Sequence, residues 1–221
     1  MTNIERTLAF LKPDASSRKF IGAKILQDFL EHPEFKIIGF KNVQITKEHA
    51  EKHYEELKGK SYYPGLIKFI TLSNVIALIL EGKDVIQKFR TYLGATLVEN
   101  AEKDTIRGKY GIYAGINLVH ASDGLKTAEN ELTLWNKKID LNPSNDAVSN
   151  VTEYANKWIK NEVNETESLR KLCLDLAANQ NKKDEIEIKL LNNLKKECVE
   201  LKIDKIKELV SIIIENILSQ D

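Results

Sequence analysis

The chain has 221 residues, of which 42% are hydrophobic and 30% charged, and its 33 basic residues balance its 33 acidic ones. This length fits one domain of ordinary size plus an appendage, and the balanced charge argues against nucleic acid or an anionic membrane as a partner. The longest apolar run, residues 75–80, is far shorter than the ~20 residues that span a bilayer, and the first residues lack a signal-peptide pattern. The two cysteines, Cys173 and Cys198, have neither metal nor redox spacing, so we expect a cytoplasmic protein.

Strands and helices are predicted to alternate over roughly the first 135 residues. Strands are indicated at 5–13, 35–45, 75–80 and 116–120, and helices at 23–31, 47–57, 83–93 and 122–135. Ser122 or Asp123 is the expected N-cap of the last of these helices. This order predicts an α+β fold, in which helices cover a ferredoxin-like antiparallel sheet.

The last part of the chain has a different composition. All ten glycines lie at or before Gly124, and all four prolines at or before Pro143. We therefore predict a first domain over residues 1–161 and an α-helical C-terminal extension over 162–221. Apolar residues recur there at helical spacing, which predicts two or three amphipathic helices with a shared apolar face.

A segment of this size makes only a marginal core without a disulfide or a metal, so its apolar face should pack on something else. The first domain or another subunit is the favoured surface, and a separate protein partner of the C-terminal helices is the alternative. A membrane surface is disfavoured because lysines and glutamates are mixed along the polar faces.

His120 is one of four histidines, and it ends the apolar run NLVH just before a predicted helix. Backbone N–H groups at a helix N-terminus favour negative charge, so phosphate is a natural ligand there. An imidazole with one free nitrogen can accept a phosphoryl group if a carboxylate fixes its tautomer, and Glu131 could supply that carboxylate. From these residues alone, a structural histidine remains the commoner alternative.

Seven segments, taken in order, closely resemble the nucleoside diphosphate kinase family: RTLAFLKPD, HYEELKGKSYYPGL, EG, FRTYLGAT, DTIRGKYGI, NLVHASD and AENELTLW. The family's signature, Asn-x-x-His-Gly/Ala-Ser-Asp, fits residues 117–123. The resemblance covers residues 4 to about 140 and extends to YANKW at 154–158. Departures are few: Ala121 replaces a common Gly, Tyr62 a common Phe, and the loop at 95–104 lacks the prolines usual there, which puts oligomer contacts made by that loop in doubt.

The resemblance implies an enzyme that moves a γ-phosphoryl group from a nucleoside triphosphate to a nucleoside diphosphate by ping-pong chemistry. His120 would be the nucleophile and would carry the phosphoryl group as phosphohistidine. Glu131 and Ser122 would position its ring, and Tyr54 would pack beside it.

The resemblance also assigns the nucleotide contacts. Tyr62 would stack on the base, with Ala114 nearby, and stacking on a π-face tolerates every base. The contacts with the ribose 3′-hydroxyl and the phosphates are assigned to Lys12, Asn117, Arg90, Thr96 and Arg107. Mg²⁺ would be held mainly by the nucleotide phosphates, and a homo-oligomer, either a tetramer or a hexamer, is expected.

Two other functions compete with the kinase. The first is a scaffold that keeps the pocket but acts through its C-terminal helices, and the second is a nucleic-acid binder. The retained pocket residues argue against the first, and the lack of basic clusters argues against the second. A metal site on His49 and His53, four residues apart, lacks an evident third ligand, so we expect a solvated helix face and no protein metal site.

Overall fold

The computed structural model describes residues 4–219. Four strands, β1 (Ile4–Leu11), β2 (Lys36–Val43), β3 (Val75–Lys83) and β4 (Val119–Ala121), form one antiparallel sheet in the order β2-β3-β1-β4. The predicted ferredoxin-like antiparallel sheet is confirmed. Strand β1 lies in the interior of this sheet and pairs Phe10 with His120 of β4, so the sheet itself places the candidate nucleophile.

Eleven α-helices occur among the described residues. In chain order they are α1 (Pro13–Ser16), α2 (Lys19–Leu30), α3 (Lys47–His53), α4 (Tyr63–Ile70), α5 (Val85–Leu93), α6 (Ile106–Tyr110), α7 (Leu125–Ile139), α8 (Ala147–Trp158), α9 (Thr166–Ala178), α10 (Lys183–Glu197) and α11 (Ile203–Leu218).

Helices α1 and α8 are absent from the sequence prediction, and so are α4 and α6. Helices α4 and α6 are short, and glycine and proline obscure their patterns: α4 begins with Pro64 in its first turn, and α6 contains Gly108. The Thr105 hydroxyl caps α6 by accepting a bond from the Gly108 N–H. A local cap and tertiary packing therefore outweigh weak intrinsic propensity here.

Both faces of the sheet are covered by helices. Alternate residues of β1 point to opposite faces, so Ala9 and Leu11 join one apolar cluster, with α2, α5 and α8, while Leu8 and Phe10 join another, with α3, α4 and α7. Because both faces of the second half of β1 are buried, residues 8–11 form a continuous apolar run rather than an alternating one.

Two predictions around His120 are wrong in detail. The strand predicted at 116–120 is reduced to β4 because Leu118 has a φ of 74°, a left-handed conformation that interrupts an extended chain. The helix predicted from Ser122 begins at Leu125, with Gly124 as its N-cap and no side-chain cap. The Ser122 hydroxyl donates to Glu131 and does not cap the helix.

The extension folds as α9, α10 and α11, in agreement with the prediction of amphipathic helices. Their apolar faces form a third cluster, which also contains Phe69, Leu72, Ile112 and Ile116 from the preceding part of the chain. The shared apolar face is therefore buried within the same chain. Along residues 4–219, no helix has the length and hydrophobicity required to cross a membrane.

Polar contacts fix the extension as well. The buried Arg18 side chain pairs with buried Glu197, at 2.7 Å between Nε and Oε2, and donates to the Thr166 hydroxyl at 2.6 Å. Arg170 of α9 donates to the backbone carbonyls of Arg107, Gly108 and Gly111, which lie at the C-terminal end of α6. The extension thus closes off hydrogen-bonding groups of the helix that carries Arg107.

Candidate active site

A cavity of about 1520 Å³ brings most of the predicted site residues together. It is bounded by α3, α4 and α7, by the chain from 115 to 121, and by α11. The predicted residues that line it are Lys12, Tyr54, Tyr62, Arg90, Thr96, Arg107, Asn117, His120 and Glu131. Ser122 does not line the cavity; it is fully buried behind Glu131.

The imidazole of His120 is fixed on one edge and one face. Its Nε2 lies 3.0 Å from Oε2 of Glu131, and the Ser122 hydroxyl donates to the same oxygen at 2.5 Å. The Phe10 ring stacks on it at 4.6 Å between centroids. An ionised carboxylate only accepts hydrogen bonds, so Nε2 carries the proton and Nδ1 carries the lone pair. Within residues 4–219, Nδ1 has no hydrogen-bond partner.

Tyr54 contributes a wall and not a hydrogen bond to this ring. Its ring meets that of His120 edge-on, with centroids 6.1 Å apart. The Tyr54 hydroxyl is buried without a partner in the described chain, and burial together with the nearby Glu131 raises the pKa of Tyr54. The phenol therefore stays neutral and packs beside His120.

His53 is a site residue that the sequence prediction missed. Its side chain is fully buried, its ring centroid lies 4.6 Å from that of His120, and its Nδ1 accepts a bond from the Trp135 indole at 3.2 Å. Burial, with a smaller contribution from His120, holds the pKa of His53 well below its ordinary value. The imidazole of His53 is therefore a neutral neighbour of His120.

The expectation of a solvated face on this helix is wrong. His49 is 3% exposed and packs edge-on against Trp135 at 4.7 Å. The spacing of His49, Ala50, His53 and Tyr54 was the available signal, because positions i, i+1, i+4 and i+5 share one helix face.

The pair His49 and His53 forms no metal site, but His53 does group with His120 and Glu131. Their potential ligand atoms lie within 4.8 Å of one another. Two imidazoles and one carboxylate suit a nitrogen-preferring cation, whereas Mg²⁺ prefers oxygen ligands. The set is therefore a poor match for magnesium.

Positive charge collects at one end of the cavity. Lys12 donates from Nζ to Oδ1 of Asn117 at 2.8 Å, and Asn117 in turn donates to the Thr96 carbonyl at 2.7 Å. Burial lowers the pKa of Lys12 to about 8, Asp14 opposes that shift, and Arg107 adds to it. A lysine with this pKa is mostly charged at pH 7 and well suited to a phosphate.

The guanidinium of Arg107 is buried and held in place by backbone carbonyls. It donates to the carbonyls of Gly94, Asn117 and Val119. Burial lowers its pKa to about 10, and the neighbouring charge of Arg90 contributes, so Arg107 remains a cation at neutral pH. Arg90 itself is exposed on α5, which leaves it accessible to a ligand entering the cavity.

Asp14 holds the unusual backbone between Asn117 and His120. Its Oδ2 accepts the Leu118 N–H at 2.9 Å, while the Leu118 carbonyl accepts the Lys12 N–H at 2.7 Å. A positive φ costs a bulky residue on the order of 1–3 kcal/mol and persists only where the surroundings impose it. Asp14 is thus a positioning residue, and the sequence prediction assigned it no role beyond its place in the RTLAFLKPD segment.

The opposite end of the cavity is apolar and open. Tyr62, 52% exposed, lies just before α4, with Leu66, Phe69 and Ile116 beside it on the cavity wall. Ala114 is buried and does not line the cavity, whereas Gly115 does. An accessible tyrosine ring above an aliphatic floor can accept a planar aromatic group by stacking.

Helix α11 also contributes to this wall, through Ile212, Glu215, Asn216 and Ser219. No signal in the sequence pointed to this contribution, because an amphipathic pattern shows that a helix packs but not which residues it packs beside.

Comparison with known proteins agrees with this site. Residues 5–141 match the family model described as nucleoside diphosphate kinase. A nucleoside diphosphate kinase of Clostridium perfringens is 47% identical over 136 residues, which are 62% of this chain and 94% of that protein. One from a Cyanothece species is 42% identical over 138 residues, covering 62% and 91% of the two chains.

Solved structures give the same result. The nucleoside diphosphate kinase of Aquifex aeolicus aligns with a TM-score of 0.59 at 31% identity, covering 63% of this chain and all of that one. The enzyme of Halobacterium salinarum in complex with CDP aligns with a TM-score of 0.58 at 36% identity, covering 67% and 99%. From the site and these matches together, the chain belongs to the nucleoside diphosphate kinase family.

Proposed function

We propose that this nucleoside diphosphate kinase works through a phosphohistidine on Nδ1 of His120. The observation that carries the proposal is the bond between Nε2 and Glu131, which leaves Nδ1 as the nucleophilic atom facing a cation-lined cavity. In the first half-reaction the Nδ1 lone pair forms a bond to the γ-phosphorus, the bond from γ-phosphorus to the bridging oxygen breaks, and the diphosphate leaves. The second half-reaction reverses these steps with another diphosphate.

The proton on Nε2 is not transferred in either half-reaction. As Nδ1 bonds to phosphorus the ring gains positive charge, and Glu131 stabilises that charge through its 3.0 Å contact. Ser122 prevents the carboxylate from turning away, because its hydroxyl holds the same oxygen. Such positioning and charge stabilisation account for most of the protein's part in phosphoryl transfer.

The proposed nucleotide contacts follow the two ends of the cavity. Lys12, Arg90 and Arg107 would neutralise phosphate charge, each charge-assisted bond being worth roughly 1.5–3 kcal/mol. Asn117 and Thr96 would complete the ribose and phosphate contacts. Tyr62 would stack on the base; the CDP complex of the Halobacterium salinarum relative supports binding of a nucleoside diphosphate here.

Mg²⁺ would enter as part of the nucleotide substrate. The phosphate oxygens would hold it, because the one metal-competent cluster among residues 4–219 is rich in nitrogen and centred on the nucleophile. When bound, the ion would neutralise charge on the β- and γ-phosphates.

Three further parts of the proposal concern the whole molecule. The family resemblance implies a homo-oligomer, either a tetramer or a hexamer, and a first domain that ends near residue 161. It also implies a cytoplasmic location, which is consistent with two free buried cysteines. A scaffold role through the extension is disfavoured because the apolar faces of α9, α10 and α11 are buried in this chain. Light scattering on the purified full-length chain measures the oligomer directly.

The test of the mechanism is direct labelling. Incubation with [γ-³²P]ATP should give an acid-labile, base-stable phosphoprotein, and transfer to diphosphates should show the parallel-line kinetics of a ping-pong reaction. His120→Ala should abolish both the label and the transfer, whereas His32→Ala, remote from the cavity, should retain both. Labelling of His120→Ala at the wild-type level would refute the assignment.

A further inference from the structure

Helix α11 of the extension forms one wall of the nucleotide cavity. Ile212 joins the apolar cluster of Phe69 and Ile116, and Lys68 of α4 lies 3.6 Å from Glu215 of α11. Helix α11 therefore borders the cavity beside the last turn of α4, the helix that follows Tyr62. This wall lies outside residues 5–141, the part of the chain that matches the family model.

The charges in the cavity set the orientation of a bound nucleotide. Lys12, Arg107 and the nucleophile His120 define the phosphate end, so the base must lie toward the opposite, apolar end. When a base stacks on Tyr62, the two rings are parallel and the hydrogen-bonding edge of the base points sideways, away from the tyrosine. The wall formed by α11 lines the same cavity and has polar side chains that can offer hydrogen bonds to that edge.

Asn216 is the polar residue on this wall whose bonding capacity is unused. Its Oδ1 is buried without a hydrogen-bond partner among residues 4–219, and its Nδ2 lies 3.7 Å from where a Cβ would stand on Gly115. Glu215, by contrast, accepts a bond from Ser211 at 2.8 Å and pairs with Lys68. A buried amide oxygen without a partner is rare in proteins, and a turn of the amide about its terminal bond would bring this oxygen to a ligand in the cavity.

We propose that Asn216 hydrogen-bonds the edge of the nucleotide base, so that the C-terminal extension completes the base subsite. The inference rests on the proposed function, because it takes the ligand to be a nucleoside di- or triphosphate. An amide carries both donors and an acceptor, and rotation about its terminal bond lets it face an amino group or a keto group. Asn216 thereby strengthens binding of many bases without selecting one, which suits a site that stacks its base.

Cytosine and uracil provide a matched pair of probes, because at position 4 cytosine has an amino group and uracil has a keto oxygen. The full-length protein is titrated with CDP and with UDP in a calorimeter. Asn216→Leu removes both bonding functions and should weaken both nucleotides about three- to tenfold, the value of one ordinary hydrogen bond. Asn216→Asp keeps only acceptors and should shift the ratio of the two dissociation constants toward CDP by a similar factor.

Asn192, exposed on α10, provides the control: Asn192→Leu and Asn192→Asp should leave both dissociation constants unchanged. If Asn216→Leu disturbs α11, seen as a lower melting temperature, Asn216→Ala replaces it in the comparison. Wild-type affinity of both variants for CDP and UDP would overturn the proposal, as would equal weakening of CDP and UDP by Asn216→Asp.

Binding is measured without turnover, so the two proposals fail separately. A protein that binds CDP through Asn216 but forms no phosphohistidine refutes the mechanism at His120 and leaves the base contact standing. If the protein forms phosphohistidine on His120 but its affinity for CDP does not depend on Asn216, the base contact is refuted and the mechanism at His120 stands.

Discussion

The buried ion pair between Arg18 and Glu197 should be the strongest polar link between the extension and the rest of the chain. The two side chains are 0% and 1% exposed. Glu197 accepts two bonds from Arg18, at 2.7 and 3.1 Å, and a third from the backbone N–H of Glu165 at 2.9 Å. Glu197→Ala would leave the guanidinium of Arg18 buried without its counter-charge.

Removing one partner of such a pair costs about 3–5 kcal/mol of the free energy of unfolding. A chain of 150–250 residues changes its melting temperature by roughly 2–4 °C per kcal/mol. We therefore expect the melting temperature of Glu197→Ala to fall by roughly 6–20 °C, with a matching loss in urea denaturation. The double variant Arg18→Met/Glu197→Leu should recover much of that loss, because an apolar pair leaves no buried charge.

Glu200, which is 51% exposed and pairs with Lys157 at 3.2 Å and with Lys19 at 3.3 Å, is the internal control, and Glu200→Ala should cost about 1 kcal/mol or less. The reasoning is refuted if Glu197→Ala is as mild as Glu200→Ala. It is refuted equally if the double variant is no more stable than Glu197→Ala, since the cost would then not come from an uncompensated charge.

Three more predictions concern the site. Because burial lowers the pKa of Lys12 to about 8, the free enzyme loses the positive charge of this lysine as pH rises. The value of kcat/KM should therefore decline above about pH 8, and the pH profile of Lys12→Met should lack this decline. Glu131→Gln should lower the rate of phosphohistidine formation about 100-fold or more by releasing the ring of His120, in a protein with an unchanged circular dichroism spectrum; a wild-type rate would exclude the orienting role. Tyr62→Ala should raise KM for all nucleotides by a similar factor, since stacking is worth ~1–3 kcal/mol per base, while Tyr62→Phe should resemble wild type; a loss confined to one base would contradict stacking.

The C-terminal extension contacts the cavity and the residues around it. A cap on the carbonyls of α6 by Arg170, a buried ion pair at Arg18 and a wall formed by α11 all connect the C-terminal helices to the nucleotide cavity. The apolar faces that predicted a docking surface are consumed in this packing. A substitution that disturbs α11 should therefore lower nucleotide affinity more than it changes the chemistry at His120.

The sequence by itself was sufficient for the order of the four strands, the ferredoxin-like sheet and the amphipathic helices of the extension. These features depend on local periodicity and on where glycine and proline are allowed. The ordered family motifs also named the residues that the fold gathers into one cavity, because each motif is short and contiguous even though the cavity is not.

Only the tertiary structure decided the contacts between segments far apart in the chain. His53 reads as one more polar residue of α3 until Trp135 and Glu131 surround it, and Asp14 has no visible task until Leu118 adopts a positive φ. Ser122 resembles a helix cap but is drawn to Glu131, nine residues later. Asn216 joins the cavity because α11 folds back beside α4. Side-chain burial and the use of each donor and acceptor depend on three-dimensional neighbours, which a one-dimensional pattern does not record.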